Sequence, residues 1–154
     1  YYKDFIINED STQNLIFNIM SNSNVQEVLY LKSFRIIDNT IEAKFNREYH
    51  SSMIESPDHL IFISALINLQ KMLYIYMCNH LGIKYRSNSQ EKLKVWPTDL
   101  SIKAHKLVTK STDIYHKLLI TDIRKIDSKK YLVNGSSSIE DKIRISGRSL
   151  VHII

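Results

Sequence analysis

The sequence is poor in glycine, proline and cysteine, and each scarcity argues against a class of protein. It has three glycines and two prolines, which argues against flexible linkers and against glycine-rich phosphate-binding loops. The single cysteine, Cys78, has no partner for an internal disulfide, so we expect a cytoplasmic protein in which this thiol fills the core. We expect no metal and no cofactor, because the histidines lack the spacing of metal ligands.

Length and composition indicate one soluble globular domain over residues 1–154. The chain is long enough to bury a core, and its fractions of 44% hydrophobic and 24% charged residues are ordinary. A net charge of +5 favours an anionic partner, such as nucleic acid, the phosphates of coenzyme A or an acidic carrier protein. Nucleic acid is the partner we do not expect, because aromatic residues are not interleaved with the cations.

Residues 56–82 predict one long helix that is apolar on most of its faces. Residues 56–58 (Ser-Pro-Asp) form a helix-start signature, and His80 followed by Gly82 forms a stop signature. No carboxylate lies between these signatures, so we expect the helix to be buried on most sides. We do not expect it to span a membrane, because polar residues including Lys71 interrupt it.

Before this helix, the sequence predicts a short helical extension and then a hairpin. Residues 1–24 are expected to form the extension, with an amphipathic helix over 10–22. Alternating apolar residues predict strands over 26–37 and 40–45, joined by a tight turn. An irregular stretch is expected from residue 46 to residue 55.

After the helix, the sequence predicts a loop or flap over 83–100, with a break at Pro97. Gly147 is expected to mark a bulge or a close approach of two backbones, because it interrupts a strand pattern. Four strands complete the chain, over residues 101–110, 115–126, 129–139 and 143–153.

The order of these elements predicts the hotdog fold, an α+β architecture in which a curved antiparallel sheet is wrapped around a long central helix. That arrangement buries both an apolar helix and strands that are apolar on one face. A generic α+β sandwich has the same elements and remains the alternative.

Residues 50–68 resemble the 3-hydroxyacyl-thioester dehydratases of the hotdog fold. In that family a catalytic His precedes the central helix, and an acid follows fourteen positions later in a motif of the type E-A-x-x-Q. Here His50 is followed at that spacing by Ser64, in the run Ser-Ala-Leu-Ile-Asn that ends at Asn68. The resemblance implies catalytic roles for these three residues. Because Ser replaces the acid and Asn replaces the Gln, dehydration is harder to support than hydrolysis.

A second resemblance is to FcoT-like long-chain acyl-CoA thioesterases. Their helix opens with Gly-His and continues through Asn-Gln-Leu-x-Tyr. This chain has Asp58-His59 at the helix start and a later run from Gln70 to Tyr74. His59 and Tyr74 match, whereas Asp58 and Gln70 depart from the motif. The resemblance implies an acyl thioester as substrate, carried by coenzyme A or an acyl carrier protein.

The chemistry of thioester hydrolysis gives these residues definite tasks. N–H groups at a buried helix start, from Asp58 to Leu60, would hold the negative charge that develops on the carbonyl oxygen. His59 or His50 would serve as general base. The side chains expected to position water or substrate by hydrogen bonds are Ser64, Asn68, Gln70 and Tyr74.

Three functions therefore compete on the sequence. The first is hydrolysis of an acyl thioester, and the second is a dehydratase-like or acyl-transfer activity in lipid or polyketide assembly. The third is acyl binding without catalysis, in which polar residues such as Ser64 and Asn68 only satisfy the backbone. In each case we expect a homodimer or a higher oligomer, because an unpaired sheet edge is a hazard.

Overall fold

The computed structural model describes residues 2–6, 15–18, 26–50, 60, 62–84 and 92–154. Its elements are β1 (Tyr2–Ile6), β2 (Leu15–Asn18), β3 (Gln26–Ile37), β4 (Thr40–His50), α1 (Phe62–His80), β5 (Leu93–Ala104), β6 (Ile114–Lys125), β7 (Lys130–Ile139) and β8 (Ile143–Ile153). All these strands pair antiparallel in one sheet, and the helix packs against it. For the described residues, the predicted α+β class is therefore confirmed as an antiparallel sheet with one helix.

The strand order places the two strands that flank the helix far apart. The order is β1-β3-β4-β6-β7-β8-β5, and β2 pairs with the part of β3 that β1 does not cover. The chain leaves the sheet after β4, passes through α1 and returns at β5 on the edge beside β8. The helix is thus the crossover that links one side of the sheet to the other.

Helix α1 is buried along most of its length, and its C-terminus ends as the sequence predicts. Gly82 has a positive φ of 70°, and the N–H of Ile83 donates to the carbonyl of Cys78 at 2.8 Å, as in a Schellman-type stop. Cys78 is buried in the core as expected, and burial raises the pKa of its thiol to about 11. Within the described residues, no helix has the length and apolarity needed to cross a lipid bilayer.

The observed start of α1 differs from the prediction. Its described residues begin at Phe62, and Leu60 lies outside the helix. The apolar periodicity of the sequence does not change at the first residue of the helix, so periodicity alone does not fix where the helix begins. The proposed signature at 56–58 lies outside the described residues.

The predicted helical extension over 1–24 and the irregular stretch are wrong within the described part of the chain. Tyr2–Ile6 form strand β1, paired with β3. In the predicted helix over 10–22, Leu15–Asn18 form a strand paired with Gln26–Leu29 of β3. Its apolar and aromatic side chains suit either structure, and pairing with an open strand edge favours the extended form. The stretch expected to be irregular from residue 46 also begins as strand, because β4 continues to His50 along β3.

The loop or flap predicted over 83–100 is also wrong for its second half. Residues 93–100 belong to β5, and the strand expected over 101–110 ends at Ala104. Pro97 has no backbone N–H to donate. Strand β5 lies at the edge of the described sheet, where the backbone groups on one side of the strand have no partner strand. The register shifts between Pro97 and Asp99, so a bulge absorbs the irregularity.

The remaining strands follow the predictions to within a residue or two, and Gly147 has the predicted close backbone contact. An added Cβ at Gly147 would overlap the carbonyl oxygen of Asp99 on the neighbouring strand. Gly135 lies directly opposite Gly147, so two glycines face each other in the middle of the sheet. The absence of a side chain at Gly147 therefore allows β5 and β8 to approach at the bulge.

We expect Gly147→Ala to destabilise the protein by about 1–3 kcal/mol, because the new methyl group must displace backbone atoms rather than a flexible side chain. The control is Gly82→Asn, since an added Cβ at Gly82 meets no atom within 4 Å and Asn tolerates a positive φ. Urea unfolding of both variants measures the difference. Equal losses of unfolding free energy would contradict the proposed contact.

Candidate functional site

The polar residues of α1 lie in different surroundings. Ser64 and Asn68 are 0% and 1% exposed, and their spacing of four residues places them on the same side of the helix. Gln70 lines a cavity between the helix and the sheet. The Tyr74 hydroxyl accepts a hydrogen bond from the N–H of Lys92 at 2.9 Å, so it connects the helix to the start of β5.

Asn68 forms a buried pair with His116 of β6. The Asn68 Nδ2 atom lies 2.8 Å from the His116 Nδ1 atom and 3.5 Å from the sulfur of Met72. Since the amide nitrogen donates, Nδ1 must accept, and this assigns the imidazole proton to Nε2. His116 is fully buried, and burial lowers the pKa of its imidazole to about 3. The ring is therefore neutral at physiological pH.

One polar atom on each residue of this pair is buried and has no hydrogen-bond partner among the described residues. They are Asn68 Oδ1, an acceptor, and His116 Nε2, a donor in the assigned tautomer. Buried polar atoms are paired in most proteins, because an unpaired one loses its hydration without compensation. The pair therefore offers one donor and one acceptor to a water molecule or to a ligand oxygen.

A cavity of about 30 Å³ lies between α1 and the sheet, and neither Asn68 nor His116 lines it. The lining residues are almost all apolar and come from α1 and from strands β5 to β8. They are Leu66, Leu69, Gln70, Leu73, Pro97, Leu100, Leu118, Ile120, Val133, Gly135, Ile145, Gly147 and Ser149. Leu118 follows His116 by two residues on the same face of β6. The cavity and the buried pair therefore both involve β6, but they are separate features of the interface between helix and sheet.

Gly135 lies in tight surroundings at the wall of this cavity. A Cβ at this position would lie 3.0 Å from the carbonyl oxygen of Leu119 and 3.2 Å from a methyl carbon of Leu118. The side chain of Leu118 lines the cavity. A side chain at residue 135 would therefore crowd the backbone of β6 and the cavity wall.

The structure brings together only some of the predicted site residues. Ser64, Asn68 and Gln70 lie on the buried helix, whereas the Tyr74 hydroxyl is bonded to the backbone of Lys92. Of His50, the backbone pairs with Gln26 at the end of β4, and its side chain lies outside the described part. Asp58 and His59 also lie outside the described residues.

The backbone N–H of Leu60, which the sequence analysis expected to hold the oxyanion, already has a hydrogen-bond partner. Leu60 is buried, but its N–H donates to the carbonyl of Val108 at 2.7 Å. A group already bonded in this way is not available to stabilise an oxyanion. The extended segment after β5, which carries Val108, therefore takes the donor that the sequence assigned to a thioester.

His116 is the residue that the sequence analysis missed. It carries no metal-type spacing and therefore received no role. The signal was the alternation Ile114, His116, Leu118, Ile120, which places the imidazole on the apolar face of a strand. A lone polar residue in such a row must find a partner or remain unsatisfied.

We expect His116→Gln to reduce the loss of stability in acid. The pKa of His116 lies below its ordinary value of 6.5, so its contribution to stability is complete above pH 6.5 and is lost as the pH falls towards 3. Between pH 7 and pH 5, the wild type should lose about 2 kcal/mol more than the variant. Chemical denaturation at each pH measures this, with the exposed His105→Gln as control. An unchanged acid slope in His116→Gln would refute the assignment.

Comparisons with known proteins found distant structural similarity to thioesterases. No protein-family model and no curated protein matches the chain. Among solved structures, a mutant of the fluoroacetyl-CoA-specific thioesterase FlK has 8% identity over 100% of this chain and 84% of that chain, with a TM-score of 0.48. Thioesterase HI1161 from Haemophilus influenzae has 9% identity over 81% and 78% of the two chains, with a TM-score of 0.47.

A mutant of thioesterase PA1618 from Pseudomonas aeruginosa has 6% identity over 82% of both chains, with a TM-score of 0.45. The three are described as thioesterases.

Proposed function

We propose that this protein hydrolyses an acyl thioester. The observation that supports the proposal is the buried Asn68–His116 pair, with one unpartnered donor and one unpartnered acceptor. A separate small cavity, lined mainly by apolar side chains, lies between the same helix and the sheet. A thioester with an acyl group has the matching chemistry, because its acyl group is apolar and its carbonyl oxygen accepts hydrogen bonds. Coenzyme A and an acyl carrier protein are the proposed carriers.

We further propose that the chain is a single hotdog domain whose sheet curves around α1. The helix contacts β3 near one side of the sheet and also β5 at the opposite edge. Six flat strands would span about 24 Å between the outer two, whereas a helix is only about 10–12 Å wide. Contacts with both sides support the proposed curvature of the sheet.

In the proposed reaction, the Nε2–H of His116 donates to the thioester carbonyl oxygen, and Asn68 Oδ1 orients the attacking water. A pKa near 3 suits His116 as a neutral donor and makes it a weak base. The base is therefore His59 or His50, which takes a proton from water as its oxygen attacks the carbonyl carbon. Collapse of the intermediate breaks the carbon–sulfur bond. The thiolate leaves and takes from the histidine the proton that came from water.

A second candidate, acyl binding without turnover, is favoured by one observation. The helix over 62–80 carries no carboxylate, and Ser64 occupies the position of the acid in the dehydratases that the sequence resembles. A dehydratase-like or acyl-transfer activity needs a proton donor or nucleophile in this region. The same assay separates the three functions, because free acid, loss of water and intact bound thioester differ in mass.

We expect acyl-CoA and acyl-carrier thioesters, incubated with the protein and followed by mass spectrometry, to yield free acid. His59→Ala should lower turnover by about 10²–10⁴-fold, because it removes the proposed base, whereas His152→Ala should leave it unchanged. Leu69→Trp should weaken substrate binding by filling the cavity, with Ile67→Trp as a control on the same helix outside the lining.

Each outcome has a definite meaning for the assignment of the base. Full activity in His59→Ala with loss of activity in His50→Ala would move the base to His50. Full activity in both variants would refute a histidine base. Bound thioester without product in the wild type would replace hydrolysis by the binding function.

We expect a homodimer or a higher oligomer in solution. Strand β5 is an edge of the described sheet, and Phe62 and Ile63 at the start of α1 are about half exposed. A second copy would cover these apolar side chains and an unpaired strand edge. Light scattering at micromolar concentration measures the mass, and a strictly monomeric mass would contradict the expectation.

A further inference from the structure

The face of the sheet opposite α1 carries a groove with its own chemistry. Residues along a strand alternate between faces, so the neighbours of the cavity-lining residues point to the other side. Two adjacent rows across the strands define this outer groove, which has a volume of about 630 Å³. The cationic row is Lys117, Arg144 and Lys103, and the hydroxyl row is Ser136, Ser146 and Ser101.

Arg144 and Lys103 are directly opposed on β8 and β5. Like charges at such positions destabilise a sheet, and neither side chain forms an ion pair with a described residue. Three other described cations form ion pairs: Lys32 with Asp113, Arg35 with Glu42, and Lys110 with Glu140. The outer groove therefore holds two opposed cations without an ion-pair partner among the described residues, whereas its third cation, Lys117, lies opposite Glu42 of β4.

The hydroxyl row lies on the same face of the sheet, two residues along each strand from the cationic row. Ser136 is opposite Ser146, and Ser146 is opposite Ser101, so three hydroxyls follow one another across three neighbouring strands. At the usual strand spacing, the row spans about 10 Å. Hydroxyl donors beside an arginine and a lysine match the several acceptor oxygens of a phosphate group.

We propose that the outer groove binds a small soluble molecule that bears a phosphate or diphosphate group. Such a ligand neutralises the opposed Arg144 and Lys103, and a surface groove of about 630 Å³ has room for a small ligand. The next row along the sheet carries the exposed carboxylates of Asp99 and Asp122, with one cation, Arg148, opposite Asp99. These carboxylates oppose an extended polyanion or an anionic membrane, and they leave room for a compact phosphate. The proposal does not depend on thioester hydrolysis.

The test is a titration of the whole chain with inorganic pyrophosphate at fixed ionic strength, followed by calorimetry and by amide chemical shifts. We expect saturable binding with shifts concentrated in β5, β7 and β8. Arg144→Gln should weaken the affinity at least tenfold, because it removes a charged donor. Lys94→Gln should leave it unchanged, because Lys94 is exposed on the same strand β5 but outside the groove.

A stability measurement separates binding from folding. Without ligand, Arg144→Gln should raise the thermal midpoint, since it relieves the repulsion from Lys103. Pyrophosphate should raise the midpoint of the wild type and not that of the variant. No saturable binding, or equal weakening in Arg144→Gln and Lys94→Gln, would overturn the proposal. Binding to phosphatidic acid vesicles without binding to pyrophosphate or ADP would also overturn it.

Discussion

Burial of α1 against the inner face of the sheet is the interaction on which the rest of the structure depends. The helix has no carboxylate over its described length, and its core-facing side chains include Ala65, Met72 and Met77. It can be stable in water only when the sheet covers it. The crossover from β4 to β5 follows from this requirement, because the chain must pass along the helix before it returns to the far edge beside β8.

The same burial sets the terms for the polar site. Asn68 and His116 are removed from water by the packing that stabilises the helix, and their mutual hydrogen bond compensates only one side of each group. The two remaining atoms keep an unmet demand for hydrogen bonds, which makes the pair costly for a core and suitable for a ligand. The neutral form of the imidazole is a direct consequence of this environment.

Much of the fold could be predicted because its signals are local. The strands β3 and β8, the stop of α1 at Gly82 and the close contact at Gly147 are encoded in short runs of residues. The failures have a nonlocal cause. Leu15–Asn18 becomes a strand because β3 offers an edge, and β5 runs through Pro97 because its partner β8 lies about fifty residues later in the chain.

The candidate site divides in the same way. Helical spacing identified Ser64, Asn68 and Gln70 as polar interruptions, but it could not supply the partner of Asn68. His116 lies 48 residues further along the chain and meets it only through the sheet. The occupation of the Leu60 N–H by Val108 is likewise a contact between distant segments. Sequence patterns name candidate groups, whereas tertiary contacts decide which of those groups remain available.

The alternation along β7 and β8 has a consequence for how this protein can change over generations. Gly135 and Ile145 line the cavity, while their immediate neighbours Ser136, Arg144 and Ser146 line the outer groove. An insertion or deletion of one residue in either strand would turn charges inward and apolar groups outward, and so would damage both faces at once. The two surfaces can therefore diverge by substitution but not by changes of length, except at bulges such as the one beside Thr121 in β6, where the pairing already accommodates an extra residue.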